Sequence, residues 1–425
     1  MKKIASFLGV AGFLLLASAV SYAYVPEPQS EGKYVTGKGT KASEEYAATA
    51  GMPVYDYGKG LQWGPLHLMP NAGYSYRWTD NVFYDAHDPK SDYVNHFDGE
   101  LLAELPLAGG QHLLSGAYFI SRELFRRFDT QNHTDQLGRI GLKLNYIPFT
   151  LDVEDAYEET TSRADTEFTS RIKRDENAFH SLLEVPFASF FLENEITDFD
   201  ESYSVAADSV FDHNLLTVYQ RVGYDMSPAT QLLAEYAFIN IDYSNVGDRD
   251  GEGNQFMLGI RGNLTERVAY QFWGGAQYCI YDADIRPDFN NFVMRSALRW
   301  QPSDINSIIL RADRAPQEST FDNQSFYTRN RAELTWRRQI AERWFWNTHG
   351  MYGYHEYSRI TVVPITGQQE TRRDNVWDLG TGLEYSMPND LITFVIDYRL
   401  STRDSNIDSL DYNANEISAG VRAKF

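Results

Sequence analysis

The stretch Glu416-Ile417-Ser418-Ala419-Gly420-Val421-Arg422-Ala423-Lys424-Phe425 decides the fold. Ile417, Ala419, Val421, Ala423 and Phe425 fall on one side of an extended chain, and Glu416, Ser418, Gly420, Arg422 and Lys424 on the other, because successive side chains of a strand point to opposite faces. The split recurs upstream. Phe256, Leu258 and Ile260 oppose Gln255 and Arg261; Phe292, Met294, Leu298 and Trp300 oppose Asn291, Arg295 and Arg299; Trp377, Leu379, Leu383 and Tyr385 oppose Asp378 and Glu384. From Leu66 onward most of the chain consists of such segments separated by turn residues.

A soluble sandwich and a membrane barrel both alternate in this way; they differ in which face meets water. Long segments, short connections alternating with long ones, and an aromatic residue ending the last segment favour the barrel. Short connections fall near Ala108-Gly109-Gly110, Pro148, Pro186 to Ser189, Ser227-Pro228, Glu266-Arg267, Pro302-Ser303, Glu342-Arg343 and Pro388-Asn389. Longer polar ones run over Thr79 to Asp92, Glu158 to Glu176, Thr197 to Asp212, Ser244 to Gly253, Pro316 to Ser325 and Thr361 to Arg373. Tight periplasmic turns and long external loops give this asymmetry. The expected fold is all-β, a transmembrane antiparallel up-and-down β-barrel over 65–425 of about eighteen strands, or about sixteen if Glu176 to Phe187 and Ser189 to Thr197 do not span. Tyr (28) and Phe (25) are abundant, and aromatics such as Trp300, Trp336, Tyr146, Tyr224 and Trp344-Phe345-Trp346 cluster near segment ends, as interfacial belts require.

The N-terminus reads as an export signal over 1–23: Lys2 and Lys3, an apolar run from Ile4 to about Val20, then Ser21-Tyr22-Ala23, a small-x-small cleavage pattern. Ala17-Ser18-Ala19 offers a competing site. Residues 24–64 are polar and without period, a flexible periplasmic arm or small plug. The single cysteine, Cys279, excludes an intramolecular disulfide framework. Formal charge is −21, and −23 once Lys2 and Lys3 are removed, which argues against nucleic acid as a partner.

Leu68-Met69-Pro70-Asn71-Ala72-Gly73-Tyr74-Ser75-Tyr76 followed by Thr79-Asp80-Asn81-Val82-Phe83 resembles the opening strand and loop of bacterial outer-membrane β-barrel porins of the porin 2 type. The resemblance implies an outer-membrane location and a pore, and for some relatives a link to exopolysaccharide or capsule export. The terminal segment resembles the signal read by the barrel-assembly machinery, with Phe425 as its last residue. Expected partners are therefore outer-membrane lipid and lipopolysaccharide, that machinery, and polysaccharide or small polar solutes.

If Phe425 and its parity mates face lipid, the alternate residues face the lumen. The second half then supplies Arg261, Arg295, Arg299, Arg311, Arg329, Arg331, Arg337, Arg422 and Lys424; the first half supplies Asp98, Glu100, Glu104, Asp152, Glu154, Glu184, Glu193 and Glu195. Opposite charges on opposing walls would set a transverse field that filters polar solutes. The competing reading is local pairing, because Glu333, Asp313, Asp378, Glu384 and Asp397 share the predicted face. Glu158 to Glu176 and Thr197 to Asp212 are the candidates for a loop that constricts the pore.

No metal, cofactor or catalytic residue is assigned. His349 and His355 share a face but lie roughly 20 Å apart on an extended strand. Asp248-Arg249-Asp250-Gly251-Glu252 lacks the remaining spacing of a calcium loop, and no Gly-x-Ser-x-Gly elbow occurs. A porin-like channel for passive passage of polar solutes is the leading function. Export of exopolysaccharide, and a structural or adhesive surface barrel, are the alternatives.

Overall fold

A computed structural model describes residues 60–163, 171–206, 208–245, 249–282, 286–320, 324–362, 369–388 and 390–424. The expected signal (1–23), the arm up to 59 and Phe425 lie outside the described residues. A short strand β1 (Leu61–Trp63) precedes β2 (Leu66–Thr79), β3 (Asp92–Leu107), β4 (His112–Phe125), β5 (His133–Asn145), β6 (Thr150–Thr160), β7 (Arg174–Phe187), β8 (Phe190–Tyr203) and β9 (His213–Ser227). Then follow β10 (Thr230–Tyr243), β11 (Gly251–Thr265), β12 (Val268–Tyr281), β13 (Phe289–Ser303), β14 (Asn306–Glu318), β15 (Phe326–Ala341), β16 (Trp344–Val362), β17 (Gln369–Ser386), β18 (Ile392–Ser405) and β19 (Tyr412–Lys424).

From β2 onward each strand pairs antiparallel with its chain neighbours. The ring closes where β19 meets β2, from Glu416 opposite Thr79 to Lys424 opposite Asn71. All strands but β1 belong to this ring, which makes eighteen. The two segments that left sixteen open, β7 and β8, are full strands of 14 residues each. The described pairing of β19 with β2 reaches Asn71, and beyond it β1 lies on the same edge of β2, with Leu61, Gln62 and Trp63 opposite Leu68, His67 and Leu66. An exposed edge of unpaired N–H and C=O groups is thereby covered.

Burial is inverted relative to a soluble protein. Phe256 is 62% exposed, Leu258 72% and Ile396 60%, whereas Arg221, Arg372, Arg403, His355, Glu193 and Glu195 are among the largest fully buried side chains. A sandwich buries its apolar faces; this sheet turns them outward, as a barrel in lipid does. Near the long-loop end, outward tyrosines donate their hydroxyls to side chains on the next strand: Tyr74 to Asn95 (2.9 Å), Tyr118 to Gln136 (2.6 Å), Tyr236 to Asn254 (2.7 Å), Tyr352 to Asn375 (2.9 Å) and Tyr398 to Asn415 (2.8 Å). Each ring offers an apolar body to lipid while its polar tip is satisfied, the arrangement that suits a membrane interface. At the other end Trp336 packs on Trp346, Trp344 on Tyr385, and Phe190 on Tyr224.

The short turns and the start of β2 lie at that second end, the longer connections at the first. Several boundaries differ from the sequence reading. Pro186 and Pro302 lie inside β7 and β13, so the turns come at Ala188-Ser189 and Asp304-Ile305. The connection expected over Thr197 to Asp212 is shorter, because β8 runs on to Tyr203. Strands overshoot the apolar band, since the backbone ladder continues wherever partners remain, whatever the side chains.

The Thr79-Asp80-Asn81-Val82-Phe83 stretch stitches the last strand to the first. The Asp80 carboxylate accepts from Asn415 N–H and from Asn415 Nδ2, both at 2.7 Å. Buried Asn81 donates through Nδ2 to the carbonyls of Asn413 (3.0 Å) and Asp85 (2.9 Å), and accepts from Asp85 N–H (3.0 Å). Removing these bonds leaves buried backbone carbonyls unpaired, at about 1–3 kcal/mol. Asn81→Leu should therefore lower the unfolding midpoint of the detergent-solubilised barrel, followed by heat-modifiable migration. The exposed Asp88→Ala serves as the control that leaves the midpoint unchanged.

Candidate functional site

The ladder fixes which residues share a face, because residues directly opposite on paired strands point the same way. Arg261 lies opposite Gln271, Arg295 opposite Trp273, Arg299 opposite Ala269, Arg311 opposite Glu333, Arg329 opposite His355, and Arg331 opposite Asp313. Arg337 lies opposite Asn347, Arg422 opposite Gly73, Lys424 and Glu100 opposite Asn71, Asp98 opposite Gly73, and Glu104 opposite His67. Glu184 stands opposite Glu193, and Glu193 opposite Arg221. Followed around the ring, this register puts all of these on the face opposite the exposed Phe97, Phe256 and Ile417.

On that face the arginines are paired. Arg221, fully buried, bridges Glu193 (3.0 Å) and Glu235. Arg261 reaches Glu193 (2.8 Å) and Arg295 reaches Glu235 (2.6 Å), each across intervening strands, which only the concave side of the barrel allows. The Trp273 ring lies under both Arg221 (5.0 Å) and Arg295 (4.6 Å). Gly259 opposite makes room for that ring, since a Cβ there would sit 2.4 Å from it.

A second group joins Arg329 (3.1 Å) and Arg331 (2.8 Å) to Asp313, Arg311 to Glu333 (2.7 Å), and Arg337 to Glu384 (2.8 Å). A third gathers Arg399, His349 (2.9 Å) and Ser401 (2.9 Å) on Asp378. The two histidines have separate settings, for His355 packs on Tyr327 at 4.8 Å. Local pairing is thus the arrangement of most of the wall, and among its arginines Arg299 departs from it: it has no ion-pair or hydrogen-bond partner among the described residues.

Sign is still segregated. On β3 to β10 the inward carboxylates include Asp98, Glu100, Glu104, Glu123, Asp152, Glu154, Glu184, Glu193, Glu195 and Glu235, against few cations such as Arg139, Lys143 and Arg221. From β11 to β15 the inward cations outnumber the acids Asp313, Glu333 and Glu318, the last held by the Tyr243 and Tyr281 hydroxyls.

The two described ends of the connection between β6 and β7 make contacts across other strands at the mouth. Arg163 donates to the Val82 carbonyl (2.8 Å) and stacks on Tyr84 (3.7 Å), which stacks on Tyr412 (4.4 Å). Arg171 reaches Glu123 (3.1 Å), itself held by Arg77. Of the two proposed constricting connections, this one reaches across other strands at both its described ends; its residues 164–170 lie outside the described residues. The Asp248 to Glu252 loop is used differently from a cation loop. Asp248 is outside the described residues, Asp250 accepts Tyr243 N–H (2.8 Å), and Arg249 is buried, donating to the Ser319 carbonyl (2.8 Å).

Arg221 and Glu235 were missed by the sequence reading. Each is a lone charge within an apolar segment, Leu215 to Tyr224 and Leu232 to Phe238, and that isolation is the signal that could have found them. Arg221→Met strips Glu193 and Glu235 of a shared counter-charge in a buried setting. It should cost roughly 3–5 kcal/mol, read as a lower unfolding midpoint in detergent, with Glu235→Gln in the same chain recovering part of the loss.

The family described as "Putative beta-barrel porin 2" matches residues 127–425. Among solved structures, OccAB3 of Acinetobacter baumannii is 10% identical at a TM-score of 0.48, covering 85% of this chain and 100% of that one. OpdK of Pseudomonas aeruginosa is 9% identical at 0.47, covering 84% and 99%. OprD of the same organism is 11% identical at 0.45, covering 84% and 95%. Likenesses of this strength say nothing of substrate. No curated protein matches the chain. The family match spans most of the chain and coincides with the closed, inside-out sheet, so the protein belongs to the putative beta-barrel porin 2 family and is a porin-like barrel of the outer membrane.

Proposed function

We propose that the barrel is a passive channel for small polar solutes, favouring those that carry charges of both signs, and that the inward residues named above are what such solutes meet. The observation that carries this reading is the segregation of acids on β3 to β10 from arginines on β11 to β15. Opposed walls of opposite sign orient a dipolar solute as it passes, and the low-dielectric surroundings strengthen that field. Arg299 is the residue we assign first to solute contact, because its charge is not already spent on a carboxylate. Guanidinium matches carboxylate and phosphate groups bidentately.

The export alternative is not favoured. A conduit for an anionic polymer calls for a wide basic lumen, and this wall carries both signs with most arginines paired. The same proposal includes export by a leader over 1–23, a periplasmic arm over 24–64, the barrel from 65 onward, and assembly through Phe425. Sequencing the N-terminus of protein purified from outer membranes tests the leader, with a start at Tyr24 after Ala23, or at Val20 after Ala19, as the expected result.

Planar-bilayer recording of the refolded chain tests the channel. Stepwise conductance is expected, and Arg299→Glu should lower the anion-to-cation permeability ratio by roughly two- to fivefold. Folded, heat-modifiable protein that never conducts would overturn the channel reading.

A further inference from the structure

On the outward face, the end of β4 carries a basic patch that the pore does not use. Arg122 is exposed and shares its face with Tyr118 and Ile120, which look to lipid. It stands opposite Phe97 on β3 and Thr134 on β5. Arg126 and Arg127 follow in the turn and are exposed. The Tyr118 to Gln136 hydrogen bond marks the interface; Gln136 stands opposite Ile120, and Arg122 lies two residues nearer the loops. At the rise of an extended chain that is about 7 Å along a tilted strand, the depth of a lipid headgroup rather than of the acyl chains.

The turn is built rather than loose. Asp92, buried, accepts the backbone N–H groups of Arg127 (3.0 Å) and Phe128 (3.0 Å), and Arg126 N–H donates to the Tyr93 carbonyl (3.0 Å). Arg127 makes one long contact to the Ser91 carbonyl (3.4 Å). The side chains of Arg122 and Arg126 have no ion-pair or hydrogen-bond partner among the described residues. Asp129 in the same turn is exposed and offsets one of the three charges. Elsewhere the outward rim carries carboxylates such as Asp200 and Asp404, and the chain as a whole is at −21. A held turn presenting unpaired guanidinium groups at headgroup depth on so acidic a protein fits an anionic headgroup beside the barrel.

We propose that Arg122, Arg126 and Arg127 form a binding site for the phosphate groups of a phosphorylated glycolipid in the outer leaflet, whose acyl chains lie along Ile120 and Tyr118, nearer the centre of the membrane. This rests on the outer-membrane placement but not on conduction. The probe is purified phosphorylated glycolipid offered to the refolded full chain in neutral detergent, with bound lipid counted by native mass spectrometry. The same lipid stripped of phosphate, and inorganic phosphate alone, are the parallel arms.

Wild-type protein should hold the phosphorylated lipid at least about tenfold more tightly than either the stripped lipid or the Arg122→Gln/Arg126→Gln/Arg127→Gln variant. Bilayer conductance of that variant should be unchanged. Arg126→Gln alone, in the exposed turn, should lose a smaller part of the affinity and keeps the test available if the triple variant does not fold. Equal binding by wild type and variant overturns the site, and so does equal retention of the stripped lipid. Inorganic phosphate competing as well as the lipid shows a free-anion site and overturns the lipid as its occupant. Lipid binding without conductance would sink the channel and leave this site standing.

Discussion

Hydrocarbon offers no hydrogen bonds to a peptide group, and that constraint orders the whole molecule. A sheet can cross a membrane only if it has no free edge, so the pairing of β19 with β2 is the condition for every other strand to be there. The details at the seam follow from it. Asp80 and Asn81 tie the loop after β2 to the backbone of β19 at one end, and β1 lies on the same edge of β2 at the other. Closure also sets which side is which. Once the ring exists, one side of every strand must meet lipid and the other a narrow interior.

That interior is where charge is concentrated, and its chemistry follows from poor solvation. A guanidinium withdrawn from water is costly unless it is paired, so Arg221 sits between Glu193 and Glu235 with Trp273 against its face. Such pairs brace neighbouring strands and leave less charge for a passing solute. What remains is the balance on which the proposed passage rests: a surplus of acid on one wall, a surplus of arginine on the other, and Arg299 without a partner among the described residues. Across the mouth, Arg163 and Arg171, at the described ends of the connection after β6, reach the Val82 carbonyl and Glu123.

Period-2 alternation made the fold legible, because it is written into every strand and survives a misplaced boundary. Strand number was legible for the same reason. Turn positions were less so: Pro186 and Pro302 signal a turn by composition, yet a proline at the end of a strand merely lacks one donor. Loop lengths were overestimated at Thr197 to Asp212, where polar residues continue the ladder above the membrane. The facing of the charged residues could be read from parity. Their partners could not, since Arg261 finds Glu193 three strands away and only the curvature of the closed wall brings them together. The Thr79 to Phe83 stretch stood out as a family resemblance, and its physical task, holding the seam, depends on residues more than 300 positions away that only the closed ring brings beside it.

The account's central claim is that the odd-numbered face of β13 looks into a water-filled passage and the even-numbered face into lipid. Single cysteines at Arg295, Ser296, Leu298 and Arg299, placed in a chain whose only native cysteine is removed by Cys279→Ser, test it most directly. The reagent is a charged, membrane-impermeant thiol label applied to protein reconstituted in bilayers. The account predicts labelling at 295 and 299, with block of conductance, and none at 296 and 298. Labelling without a period of two, or its reverse, would contradict it.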